Sequence, residues 1–99
     1  MTRIENYVAR QVENIEDHYG KFEPGVVLFD DMMVGYVCPC GCGSTVTLFI
    51  CSPGDQTRPE GSWEFAVVGD LPSLSPSVNQ TGYPCRSHYF LRDGKVQWC

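Results

Sequence analysis

No apolar run resembling a signal peptide is present, and no stretch approaches transmembrane length; the chain opens Met1-Thr2-Arg3-Ile4-Glu5-Asn6. Crossing a bilayer takes about 20 consecutive apolar residues. Neither export nor insertion is therefore expected, which places the protein in a reducing cytoplasm. Basic charge is scarce as well. Seven Lys and Arg against twelve Asp and Glu give a formal net charge of -5, and the basic residues are scattered. Binding to nucleic acid needs a basic surface that neutralises phosphates, so nucleic acid is not an expected partner. Acidity by itself names no partner. The His-Glu-x-x-His pair of helical zinc proteases is missing, as are internal repeats and low-complexity tracts. The 99 residues supply one core and so one domain, with 1–21 as an N-terminal extension and 22–99 as the body.

What is present in quantity is cysteine, six in all. Disulfides need an oxidising compartment, so these thiols point to metal. Cys38, Cys40 and Cys42 stand in Cys-Pro-Cys-Gly-Cys-Gly, while Cys85 and His88 stand in Cys-Arg-Ser-His. Thiolates and a neutral imidazole are ligands that zinc favours, and two separated clusters let a small domain close a tetrahedral site on itself. The competing reading is of buried free thiols and a core histidine, but alternate cysteines among prolines and glycines are a poor packing pattern. Alternate residues aim at one ion only awkwardly; Pro39, Gly41 and Gly43 relax that restriction. Five candidates for four places leave open whether the Zn2+ site is closed and structural, or open and catalytic. Cys51 and Cys99 lie outside both clusters and are treated as ordinary thiols.

The rest reads as a mainly β fold, with a small α+β arrangement as the variant: a single zinc-stapled antiparallel β domain with a short N-terminal helix or strand. Ile4, Val8, Val12 and Ile15 fit helical spacing, whereas residues 7–12 read equally as a strand. Phe22-Glu23-Pro24-Gly25 is a turn. Strands are expected at 26–29, 33–37, 45–51 and 63–68, with a hairpin turn at Asp30-Asp31 and an exposed loop over 52–62. Residues 71–78 hold too many prolines for a central strand and read as an ordered loop. Asp93-Gly94 joins 87–91 to 95–98 in a hairpin with a type I′ turn.

An open zinc position would activate water and polarise a carbonyl, the ingredients of amide or ester hydrolysis. Glu60, Glu64, Asp70 and Asp93 are only nominal bases. Ser75, Ser77 and Ser87 offer an oxyanion contact, a water-orienting hydroxyl or a nucleophile. A serine hydrolase pairing Ser77 or Ser87 with His88 conflicts with metal ligation, because an imidazole nitrogen on zinc cannot also act as a base.

Glu-Pro-Gly-Val at 23–26, Cys-Pro-Cys-Gly-Cys-Gly at 38–43, Trp63, Leu-Ser-Pro-Ser-Val at 74–78, Cys-Arg-Ser-His-Tyr-Phe at 85–90 and Asp-Gly-Lys-Val-Gln-Trp at 93–98 together resemble a family of small bacterial and phage proteins catalogued as a domain of unknown function. Its members are encoded beside ubiquitin-like proteins and their conjugating enzymes. They are described as metal-dependent peptidases that process the modifier. The resemblance implies a metal centre of Cys38, Cys40, Cys42, Cys85 and His88, lined by Ser75, Ser77 and Ser87. It also implies a protein substrate, ubiquitin-like or its conjugates. The expected function is thus a zinc-dependent peptidase or isopeptidase with Ser77, Ser75, Ser87 and His88 as catalytic candidates. The alternative is a non-catalytic zinc-stapled protein-interaction module, with Trp63 on its contact surface.

Overall fold

The computed structural model describes residues 3–55, 60–80 and 85–99. Eight strands lie side by side in sequence order: β1 (Val8–Gln11), β2 (Val26–Phe29), β3 (Met33–Val37), β4 (Thr45–Cys51), β5 (Trp63–Val68), β6 (Leu71–Asn79), β7 (His88–Arg92) and β8 (Lys95–Trp98). The mainly β reading holds, with two departures from an all-antiparallel sheet: β1 pairs parallel with β2, and β4 parallel with β5. Parallel neighbours require a crossover of about a dozen residues. The segments between β1 and β2 and between β4 and β5 provide it, whereas short turns at 30–32, 69–70 and 93–94 go with antiparallel pairing.

The sheet rolls until its ends meet. Asn6 bridges Lys95, Tyr7 N donates to Gly94 O at 2.6 Å, and Val96 N donates to Glu5 O at 2.9 Å. Tyr7 is consequently buried at 2 % exposure. Of the two N-terminal alternatives the structure takes the strand. Helical spacing loses because Val8 pairs with Val26 while Ile15 is buried from a separate 3-10 turn, Ile15–His18, capped by the Asn14 side chain. No helix among the described residues is long and apolar enough to cross a membrane.

Residues 71–78 correct the sequence reading, for they form most of β6, a central strand between β5 and β7. Pro72 still accepts through its carbonyl from Gly94 N at 2.8 Å. Pro76 falls in a stretch where the β6–β7 register shifts between Leu74 and Val78, so its missing donor interrupts no regular ladder.

Inside the roll, Tyr7, Tyr36 and Tyr89 are among the largest fully buried side chains. A buried hydroxyl needs a partner, and each has one. Tyr7 Oη donates to Val37 O, Tyr36 Oη and Tyr89 Oη share a hydrogen bond of 2.7 Å, and Tyr89 Oη donates to Gln80 Oε1 at 2.8 Å. Burial, together with the neighbouring tyrosines, pushes the Tyr89 phenol far above its ordinary range, so it stays a neutral donor.

The Asp93-Gly94 turn has positive φ at both residues, 49° and 76°, as a type I′ hairpin requires. A Cβ on Gly94 would stand 2.6 Å from the Tyr7 carbonyl oxygen, at the seam of the roll. Gly94→Ala is therefore expected to cost about 2 kcal/mol or more, read as a lower urea midpoint with an unchanged m-value.

Asp30 controls the β2–β3 turn. Its Oδ1 accepts from Met32 N and Met33 N, each at 2.8 Å, and Oδ2 accepts from Ile15 N at 3.0 Å. Desolvation works to raise its pKa, but the three amides prevail and hold the carboxyl below its ordinary value. A depressed carboxyl stabilises the fold above its unfolded pKa of about 4, and that contribution disappears as pH falls through the lower folded value. Asp30→Ala should cost about 1–2 kcal/mol at neutral pH. The gap from the parent in urea melts should narrow as the medium is acidified below about pH 4.

Candidate active site and cysteine cluster

Between Leu74, paired with Leu91, and Val78, paired with Tyr89, β6 carries Ser75, Pro76 and Ser77 against Phe90 alone. Such bulges re-aim a side chain out of the regular pleat. Here Ser77 Oγ comes to 2.9 Å from His88 Nε2. Both residues are half-buried, reachable from solvent yet held. Trp63, at the start of β5, donates its indole N–H to the Ser77 carbonyl at 3.3 Å, and Cys99 N donates to the His88 carbonyl at 3.0 Å. Backbone anchors thus fix both members of the pair. A hydroxyl hydrogen-bonded to imidazole is the arrangement that activates a serine nucleophile.

Alongside lies a shallow groove of 180 Å³ on the outer face of β5–β7, lined by Ala66, Ser73, Ser75 and Phe90, with Glu64 and Arg92 among its charged groups. The Arg92 guanidinium sits 4.3 Å over the Phe90 ring. Ser75 is exposed on this groove.

The second cluster is built from sulfur. Cys38, Cys40, Cys42 and Cys85 place their sulfurs within 4.8 Å of one another. Cys38 Sγ is 3.5 Å from Cys40 Sγ and 3.8 Å from Cys85 Sγ; all are free thiols. Zn–S bonds of about 2.3 Å in a tetrahedron give S···S edges of about 3.8 Å, so the four positions fit one zinc. The cysteine run is aimed by a tight turn. Cys38 N donates to Ser44 O at 2.8 Å and Gly41 N to Cys38 O at 3.3 Å, while Gly41 and Gly43 take φ of 87° and 85°, which side chains with a Cβ resist. The chain is no longer extended, so three alternate residues can converge.

The environments of the sulfurs differ. Burial pushes the Cys38 thiol up to about 12. Hydrogen bonds from the Ser44 side chain and backbone bring Cys42 down to about 6, and the Ser87 hydroxyl, its strongest influence, lowers Cys85. Four thiolates this close repel strongly unless a cation lies between them. A divalent ion would supply that charge and stable ligation.

His88 is not in the four-sulfur group, since its Nε2 is engaged with Ser77. Ser87 adjoins the group instead: buried, it donates to Cys85 Sγ at 3.4 Å and lies 3.6 Å from Cys38 Sγ. The three candidate serines therefore part company, Ser77 to the histidine, Ser87 to the sulfurs and Ser75 to the groove.

Two further contributors were not expected at the site. Gln80 is buried, donates its backbone N–H to Ser87 O at 2.8 Å and places Oε1 3.7 Å from Cys38 Sγ, joining the cysteine cluster to the end of β6. Trp63, expected on a contact surface in the non-catalytic reading, instead holds the Ser77 backbone through its indole N–H.

A family model described as "Bacterial ubiquitination-like system serine protease (BubE)" matches residues 11–99. No curated protein matches the chain, and no solved structure does.

Proposed function

The chain belongs to the bacterial ubiquitination-like system serine protease family, and from that premise we propose that it hydrolyses peptide or isopeptide bonds with Ser77 as nucleophile and His88 as general base. The observation that carries this is the 2.9 Å contact between Ser77 Oγ and His88 Nε2. His88 Nε2 takes the hydroxyl proton as Oγ attacks the substrate carbonyl carbon. The tetrahedral intermediate then expels the amine, which receives that proton from His88, leaving an acyl ester on Ser77. Water, deprotonated by the same nitrogen, hydrolyses the ester and restores the hydroxyl. Trp63 positions the nucleophile through the Ser77 carbonyl. The substrate in this reading is a ubiquitin-like modifier or its conjugate.

Zinc has a structural part here. Cys38, Cys40, Cys42 and Cys85 would hold it, and four protein ligands complete its shell, so no position remains for an attacking water. It ties the cysteine turn to the start of the segment leading into His88. A zinc-dependent hydrolysis, the alternative chemistry, requires one of these thiolates to leave the ion. A purely non-catalytic module leaves the Ser77–His88 contact without a purpose.

The test is a fluorophosphonate probe, which phosphonylates activated serines with loss of fluoride. One adduct per chain, mapped by mass spectrometry to Ser77 and slowed strongly by His88→Gln, is the expected result. An unmodified Ser77 in folded, zinc-loaded protein would refute the assignment.

A further inference from the structure

Near the catalytic pair, the outer surface carries an apolar spot that the fold leaves uncovered. Met32, at the β2–β3 turn, is 65 % exposed and Phe49, in β4, is 58 % exposed. Ile50 N donates to Met32 O at 2.9 Å, fastening the turn to β4. Two adjoining depressions, of 540 and 440 Å³, share Asp31, Met32 and Phe49. Glu13, Glu16, Asp31 and Glu60 are among their lining groups, and no Lys, Arg or His is found among the described residues that line them. Large apolar side chains left in water mark interaction sites, and a rim of one sign selects a partner of the opposite sign.

Strand register relates this spot to the nucleophile. Cys51 pairs with Glu64, and Glu64 with Ser75; alternate residues share a face, so Phe49 lies on the same outer face as the groove. Because β6 runs opposite to β4, Phe49 and Ser77 come out nearly level, two inter-strand spacings or about 10 Å apart. Ser62, which precedes β5 and lies between them, also lines the Phe49 depression.

We infer that Met32 and Phe49 form the docking surface for the folded body of the substrate, a protein that presents apolar side chains flanked by Lys or Arg, while its extended tail reaches Ser77. The inference rests on Ser77 and His88 being the catalytic pair. At about 3.3 Å per residue, some three extended residues span the gap, so body and tail can be engaged together.

Two substrates separate docking from chemistry: an intact ubiquitin-like modifier from such a system carrying a C-terminal fluorogenic amide, and the peptide of its last six residues with the same amide. For the parent, kcat/KM should favour the intact modifier. Phe49→Asp should reduce that preference about tenfold, through KM, and weaken binding of the intact modifier to Ser77→Ala protein by a similar factor. Raising NaCl roughly from 50 to 500 mM should erode the parent's preference too, because it screens the carboxylate rim. Phe49→Gln, which adds no charge, keeps the test available if the aspartate disturbs β4. A preference within twofold of the parent in folded Phe49→Gln and Met32→Asp proteins, with the peptide still cleaved, overturns the inference. Dimerisation of the parent that Phe49→Asp abolishes would make a second copy the occupant and overturn it as well. Failure of the parent to cleave either substrate sinks the catalytic reading, and the inference with it.

Discussion

Stripping metal from the protein, or replacing Cys38 by Ala, is expected to abolish cooperative unfolding and leave a chain without a sharp thermal transition. Apparent zinc affinities of structural sites run to about 10–16 kcal/mol, comparable to or larger than the whole stability of a small domain, about 5–15 kcal/mol. Without the ion, the four sulfurs within 4.8 Å of one another sit beside buried Gln80, Tyr89 and Ser87 with nothing to hold the cysteine turn against Cys85. Cys38 is fully buried in the core cluster, so its loss also leaves a cavity. Zinc content by elemental analysis and circular dichroism melts, with and without chelator, check this. One zinc per chain and a melt that collapses on chelation is the expected pair of results. Cys51→Ala and Cys99→Ala, outside the cluster, should retain the metal.

The second large effect falls on turnover instead of folding. Ser77→Ala removes a half-buried hydroxyl whose partner is His88 Nε2, and is expected to lower kcat by about a thousandfold or more while the melt stays near that of the parent. His88→Ala should do the same, and the double variant should be little worse than either single one, because nucleophile and base act as a unit. Ser75→Ala, in the groove, is expected to change KM more than kcat. Ser87→Ala should weaken zinc retention, since its hydroxyl is spent on Cys85 and Cys38.

Much of the strand pattern was legible from local chemistry. The Asp93-Gly94 pair announces its turn because positive φ at two successive positions suits few residues, and 26–29, 33–37, 45–51 and 63–68 carry the β-branched and aromatic density of strands. β6 was hidden because proline rules apply to regular ladders, and Pro76 lies where the ladder is broken. The candidate metal site was legible as residue types but not as a ligand set: Cys85 and His88 sit three apart and look equivalent. In the structure β7 starts at His88 and turns its ring to β6, whereas Cys85 remains with the sulfurs. A serine–histidine pair and a metal site then cease to compete for one imidazole. The Ser77–His88 contact itself depends on a register shift between the neighbouring strands β6 and β7, which no local pattern encodes.

Loading the four-cysteine site with cadmium in place of zinc, followed by measurement of kcat on one amide substrate, tests most directly whether Ser77 and His88 do the chemistry around a structural ion. Cadmium is thiolate-loving and fills a four-sulfur shell, but it would alter any metal-bound water that attacked the substrate. The account predicts a kcat within about twofold of the zinc protein. Loss of turnover in folded, cadmium-loaded protein, restored by zinc, would contradict it.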